Sequence, residues 1–469
     1  MKQTKTEGIQ LELVFTSEKE SSGLSPSGSI GNVSGGSKGA DLISMLERRR
    51  ALTSNWMEEI VSYENLTKAY RRVISNGGSS GVDGMETEEL KDWLRGNLPE
   101  LRRKLLSGEY EPKEVRQVEI PKSSGGTRLL GIPTVIDRLI QQAIHQKLSP
   151  LYEEQFSENS YGFRPSRNAW QAITKASEYV SDGFTWVVDI DLSNFFDTIN
   201  HDRLMHRLYK GIGDKTLLKL IGKYLKSGMM KDGLVTQRIS GTPQGGPLSP
   251  LLSNIVLDEL DKELEARGHK FCRYADDCNI YVRSEAAGLR VMESITRFIE
   301  EKLKLKVNRD KSGVRRCENC KFLGYTIMDN GTIRIADKSI TRFKDKIREI
   351  TRRNRGISTE ALITELNKVT KGWLSYYRLA NTYLPWRDLD QWIRRKLRTY
   401  ILKQKGKTYA IFKFLKSLGA TDNESWIGYY SKSWWYLTGT KIVNKYLGLK
   451  YFDQIGYRSL INQFAMLKR

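Results

Sequence analysis

The stretch FCRYADDCNIYV, residues 271–282, sets two adjacent carboxylates, Asp276 and Asp277, between apolar and aromatic runs. Its alternation reads as two short strands meeting at the aspartates. Burying a carboxylate pair is costly unless positive charge offsets it. No Lys or Arg lies between them, and Arg273 stands three residues before the first. One reading is a hairpin tip in water. Such tips usually carry Gly or Asn, which tolerate positive φ, and this one has no Gly. The other reading is a divalent cation site, because Mg²⁺ takes hard carboxylate oxygens. The stretch alone leaves both open.

The rest of the chain narrows the choice. Its 469 residues allow several domains with ordinary cores. No apolar run is long enough to span a bilayer, and the start MKQTKTEGIQLELVF lacks the features of a secretory signal. With that, the four cysteines, Cys272, Cys278, Cys317 and Cys320, suggest a reducing cytoplasm. The formal net charge of +22 points to a polyanion partner. Residues 341–469 hold 27 Lys and Arg against 9 Asp and Glu, a net of +18, with 6 of the 10 Trp and 11 of the 22 Tyr. Cations meet phosphates and rings stack on bases, so this mixture suits nucleic acid. Most of these rings are expected to be core; the charge excess still needs a partner.

Residues 1–40 end in a Ser/Gly-rich run that reads as a flexible tail. Helical spacing follows in LTKAYRRVISN (66–76), stopped by Gly77-Gly78, and again in ETEELKDWLRGNL. VRQVEIPK and TRLLGIP flank a Gly-rich tip as a hairpin. A helix is expected over 136–156, a central strand in WVVDI, helices over 201–227 and a strand pair before Gly241. PLSPLLSNIVLDELDKELEARG reads as helical, residues 285–304 as a helix, CKFLGYTI as a strand, and the chain beyond 336 as mainly helices.

VVDIDLSNFFD places Asp189, Asp191 and Asp197 at the end of a buried strand, where residues i and i+2 share a face. Two strand-borne acidic sites 85 residues apart, at 191 and 276, could converge on one cluster. Two-metal phosphoryl transfer needs such a cluster. Lys122 and Arg128 flank the Gly-rich tip and suit a triphosphate.

The blocks IPKSSGGTRLLGIP, QQAIHQKLSPLYEEQFSENSYGFRPSR, DIDLSNFFDTINHDRL, GTPQGGPLSPLLSNIVLDELD, RYADD, LKLKVNRDKS and KFLGYTI occur in this order. They resemble the successive fingers and palm blocks of reverse transcriptases of the group II intron maturase type. GVDGM (81–85) resembles that family's N-terminal extension, and KGWLSYYRLAN (371–381) the opening of its thumb, or maturase, domain. The likeness spans about residues 60–400.

The resemblance implies an α+β right-hand polymerase, with fingers and an antiparallel-sheet palm, followed by a mainly α-helical thumb and maturase domain. After the Ser/Gly-rich tail over 1–40, it implies a helical extension over 41–114, fingers and palm over 115–335 and a basic thumb and maturase region with a C-terminal DNA/RNA-binding part over 336–469. It implies that Asp191, Asp276 and Asp277 hold two Mg²⁺ ions, and that Phe196 is the aromatic gate packing where a ribose 2′-OH would sit. Gln244 and Gly245 would lie beside the nascent base pair, and Lys122 and Arg128 would contact the incoming triphosphate. Lys311 resembles the lysine proposed to protonate pyrophosphate. Asp189 and Asp197 are expected to be structural.

The implied function is RNA-directed DNA polymerisation from a DNA primer with dNTPs, with binding of structured intron RNA, help in its splicing, and mobility into a DNA target. The alternatives are a domesticated reverse transcriptase in defence or repair, a splicing factor without polymerase activity, and an RNA-dependent RNA polymerase, against which Phe196 argues. CENC (317–320) has metal-site spacing but too few companion ligands. The last His is His269 and the last Cys is Cys320, so a His-based nuclease has no ligands in the final 149 residues. That ending resembles the endonuclease-lacking members of the family.

Overall fold

The computed structural model describes residues 55–121, 127–231, 234–236, 240–242, 245–380, 384–431 and 433–467. The tail, Lys122 and Gln244 lie outside them, as does the side chain of Arg128.

Two antiparallel pairs, β1 (Val115–Pro121) with β2 (Thr127–Ile132) and β4 (Met229–Lys231) with β5 (Leu234–Thr236), join through a short parallel pairing of β1 with β4. The sheet order is β2-β1-β4-β5. In its register Arg128 faces Ile120 across the hairpin. A second sheet has the order β6-β7-β3-β8, formed by β3 (Trp186–Ile190), β6 (Lys270–Tyr274), β7 (Asp277–Val282) and β8 (Gly313–Arg316). WVVDI is therefore an interior strand, as its apolar run predicts. β9 (Tyr325–Ile327) pairs antiparallel with β10 (Ile333–Ile335), and from Asp337 on the described regular elements are helices.

The described residues fall in two compact units. One holds those up to Ala172 with Val188–Ile280 and Ala286–Val314; the other holds Ile173–Val187, Tyr281–Glu285 and those from Arg315 on. In the first, the helix Val135–Glu153 is buried along Leu139, Ile140, Ala143, Ile144 and Leu148. In the second, a ring cluster forms the core. Phe343 stacks on Trp373 at 4.0 Å, Trp373 meets Trp386 edge-on at 5.4 Å, and Trp386 stacks on Phe464 at 5.0 Å. No helix among the described residues is long and apolar enough to cross a membrane.

Some elements depart from the sequence reading. The helix begun at Leu90 runs through Pro99 to Ser107. The buried stripe Leu90, Leu94, Leu98, Leu101 and Leu105 outweighs the roughly 3 kcal/mol cost of an interior proline. CKFLGYTI is strand only over Tyr325–Ile327. Leu323 and Gly324 take positive φ, 49° and 85°, and a Cβ at Gly324 would lie 2.5 Å from the Tyr377 hydroxyl. That approach demands a turn. The helix Ala169–Ser181 and β8 have no counterpart in the sequence reading.

Candidate active site

Asp191 follows β3 and is held from one side by the block LKLKVNRDKS. Its N–H donates to Ser312 Oγ at 2.9 Å, and its carbonyl accepts from the Asn308 N–H at 2.8 Å. Its carboxylate Oδ2 accepts from Asn308 Nδ2 at 3.0 Å and lies 3.4 Å from Lys311 Nζ. The Ser193 N–H donates to the Lys306 carbonyl at 2.8 Å, closing the same contact. Lys311 therefore meets the carboxylate itself. Asn308 and Ser312 belong to a recognised block, but nothing in residue type alone sets them apart from surface polar residues.

Asp276 and Asp277 sit at the turn between β6 and β7, both partly buried. The turn has no glycine, yet Ala275 adopts φ 58°. For a residue with a Cβ this costs roughly 1–2 kcal/mol. Two observations account for its persistence. A Cβ on Gly162 would lie 2.3 Å from the Ala275 nitrogen, so bare backbone presses against the turn there. Arg273 is wholly buried beneath it. Its Nη1 donates to the Ala275 carbonyl at 2.9 Å and to Asn254 Oδ1 at 3.1 Å, Nη2 donates to Ser160 Oγ at 2.8 Å, and Nε donates to the buried Asp261 at 2.6 Å. Burial opposes its charge, but Asp261 more than offsets this and raises the guanidinium above its ordinary pKa. Arg273 thus answers the sequence question only in part: its charge goes to Asp261, and its hydrogen bond holds the turn.

β7 neighbours β3 in the sheet, and the compact unit containing β3 from Val188 also contains β7 up to Ile280. The donors near these strand ends are carboxylate oxygens, which suit a hard divalent ion. Asn279, two residues beyond Asp277 and on the same strand face, has both amide atoms buried with no hydrogen-bond partner. This donor chemistry fits an oxygen-seeking cation. Among the described residues no three Asp, Glu, His or Cys side chains are grouped closely enough to form a ligand cluster.

A second group surrounds Phe196, which is buried edge-on to Phe195 at 5.3 Å. Its carbonyl accepts from the Thr242 N–H at 2.6 Å, and the Gly241 N–H donates to Ile199 O at 2.8 Å. Gly241, at φ 87°, has no room for a side chain: a Cβ would lie 2.7 Å from the Phe196 carbonyl oxygen. Gly245, at φ 134°, would place a Cβ 2.6 Å from the Gly131 carbonyl of β2. Gly246 would meet Gln141 Oε1 at 2.3 Å. Gly241 and Thr242 therefore lie against Phe196, and Gly245 against the strand that carries Arg128. Asp189 lies in β3 and Asp197 in the short helix Phe195–Thr198. Cys317 and Cys320 are buried free thiols around a 3₁₀ turn, and burial pushes the Cys317 thiol up.

The basic cluster Arg394, Arg395 and Lys396 divides. Arg394 is buried against Asp390, whose Oδ1 also accepts from the Tyr457 hydroxyl at 3.0 Å and the Leu460 N–H at 2.9 Å. Arg395 lies over the Trp435 ring at 3.8 Å, and Lys396 over the Trp392 ring at 5.6 Å. Arg394 is thus a core residue.

Comparisons with known proteins agree with this layout. Residues 120–327 match the family model "Reverse transcriptase (RNA-dependent DNA polymerase)", and residues 340–416 match "Group II intron, maturase-specific domain". The chain is 35% identical to Protein YkfC of Escherichia coli over 310 residues, 57% of this chain and 81% of that one. It is 28% identical to the group II intron-encoded protein LtrA of Lactococcus lactis over 413 residues, 67% of this chain and 69% of that one. It is 29% identical to the putative COX1/OXI3 intron 2 protein of Saccharomyces cerevisiae over 318 residues, 55% of this chain and 37% of that one. The polymerase is RNA-directed, makes DNA and depends on a divalent metal, and the maturase domain assists splicing. With both domains in order and 81% of a 35%-identical relative covered, the chain belongs to the group II intron-encoded reverse transcriptase/maturase family.

Proposed function

We propose that the protein extends a DNA primer on its own intron RNA, using dNTPs and two Mg²⁺ ions held by Asp191, Asp276 and Asp277, and so supports both splicing and insertion of the intron into a DNA target. The observation that carries this reading is the sheet order, which makes the strand before Asp191 a neighbour of the strand that opens at Asp277. When bound, the ions supply charge stabilisation and a more acidic primer 3′-hydroxyl. The protein's share is orientation. Asn308 and Ser312 fix Asp191, and Arg273 with Gly162 fixes the Asp276–Asp277 turn.

In this proposal Lys122 and Arg128 grip the triphosphate from the β1–β2 hairpin, and Gln244 and Gly245 line the nascent base pair. Lys311, beside Asp191, donates a proton to the departing pyrophosphate. Fingers and palm span 115–335, and the basic thumb and maturase region runs over 336–469. The reduced thiols suit the cytoplasm.

Metal removal tests the polymerase part. Chelation is expected to stop extension of a primer on RNA, and Mg²⁺ to restore it; extension in excess chelator overturns the reading. Sugar choice tests the gate. Phe196→Val opens space where its ring is buried against Phe195, so the ratio of ribonucleotide to deoxynucleotide incorporation is expected to rise roughly 10- to 100-fold. An unchanged ratio removes Phe196 from that role.

A further inference from the structure

In the basic C-terminal region, most rings belong to the core, as composition suggests. One set does not. The helix Thr408–Ser417 buries Ile411 and Leu415 and turns Tyr409, Phe412, Lys413 and Lys416 to another face, at spacings of three and four. The helix Asp422–Tyr430 buries Ser425 and Gly428 and turns Trp426, Tyr429 and Tyr430 outward. The helices meet on their buried faces: a Cβ at Gly428 would lie 2.6 Å from Ile411 Cγ2.

These five rings, four exposed and Phe412 half-buried among them, form one continuous ladder. Tyr409 stacks on Phe412 at 5.8 Å and 7°, Phe412 meets Trp426 at 4.8 Å, and Trp426 meets Tyr429 at 5.2 Å and Tyr430 at 5.7 Å. Tyr409 is 52% exposed and Tyr430 72%. These rings do not close the core beneath them, which is Leu402, Ile411, Leu415, Ala420, Leu437, Val443 and Leu447. A contiguous exposed aromatic patch marks an interaction surface.

Charge identifies its occupant. Residues 403–421 hold five Lys and no Asp or Glu. Lys413 lies over the Tyr409 ring at 4.9 Å. Lys416 pairs with Asp422 at 2.7 Å, but an apolar protein partner would offer no counter-charge to the other four, whereas rings bordered by lysines match bases bordered by phosphates. Paired bases have no free faces to offer, so the match is to an unpaired strand.

We propose that this ladder is a docking surface on which unpaired nucleotides of the structured RNA stack while the lysines neutralise their phosphates. The inference rests on the RNA-binding part of the proposed function and adds the strand chemistry and the surface.

The test compares the full chain with Tyr409→Ala/Tyr430→Ala. Both substitutions are at exposed rings, so thermal unfolding is expected to stay unchanged. The probe is a labelled hairpin RNA with a long unpaired loop, free or with the loop annealed to its complement. Affinity for the open loop is expected to fall about tenfold per ring. The salt slope should stay that of the parent, because no cation is lost. Annealing should abolish the difference, and Tyr409→Phe/Tyr430→Phe should restore binding. Equal losses for open and annealed loops, no loss for either, or a change in sedimentation showing that the rings join two copies of the chain would each overturn the proposal. Primer extension on a bare template separates the two readings. If the parent fails to bind the hairpin RNA, the RNA-binding reading fails; if parent and variant bind alike while extension persists, only the ladder fails.

Discussion

Asp276→Ala or Asp277→Ala is expected to lower primer extension on RNA roughly a thousandfold or more, because several kcal/mol of metal-derived transition-state stabilisation is lost. Binding of structured RNA should be nearly untouched, since the positive excess lies in the C-terminal region and not at the β6–β7 turn. Folding should also survive. Removing one of two adjacent carboxylates relieves repulsion, and the turn is held by Arg273 through the Ala275 carbonyl, which Ala keeps. The measurements are single-turnover extension, RNA binding and thermal unfolding on one preparation. Near-parental extension by either variant would overturn the metal assignment. Joint loss of extension and folding would show that the pair is structural.

Arg273→Ala is expected to destabilise the chain by roughly 3–5 kcal/mol, the usual cost of leaving one member of a buried ion pair unpartnered. Arg273 and Asp261 side chains are both 0% exposed. Arg273→Lys should not rescue, because an ammonium cannot reproduce a planar fork that reaches Asp261, Asn254, Ser160 and the Ala275 carbonyl together. Arg273→Met/Asp261→Leu separates charge balance from positioning. Removing both charges should recover most of the stability measured by urea unfolding. Extension should remain impaired, because nothing then holds the Ala275 carbonyl. If the double variant recovers both, Arg273 serves only to balance Asp261, and its role in positioning the turn is wrong.

Much of the architecture is legible in the chain itself. Alternating apolar runs locate β3, β6 and β7, and Gly77-Gly78 marks a helix end, because period and backbone freedom are local properties. The three candidate metal aspartates are also local, standing at strand ends with no nearby reason to be there. The divided fate of residues 394–396 is not local. Arg394, Arg395 and Lys396 look alike in sequence, and only packing buries the first against Asp390 while the others lie over tryptophans. The same holds for the rings of the last quarter. Trp386 is core and Trp426 is surface for reasons of neighbour, not of type.

Family, order of elements and the three candidate metal aspartates can be read from the residues alone, because blocks, periods and strand ends are local. The tertiary structure decided what orients them: Asn308 and Ser312 on Asp191, Gly162 and Arg273 on the turn, and Thr242 on Phe196. These partners lie 46 to 121 residues away along the chain, from Thr242 with Phe196 to Ser312 with Asp191, save Arg273, whose hydrogen bond to Ala275 spans two. Local propensity carries no information across such separations. Burial, and the need of each buried polar group for a partner, selects them only once the chain has closed on itself.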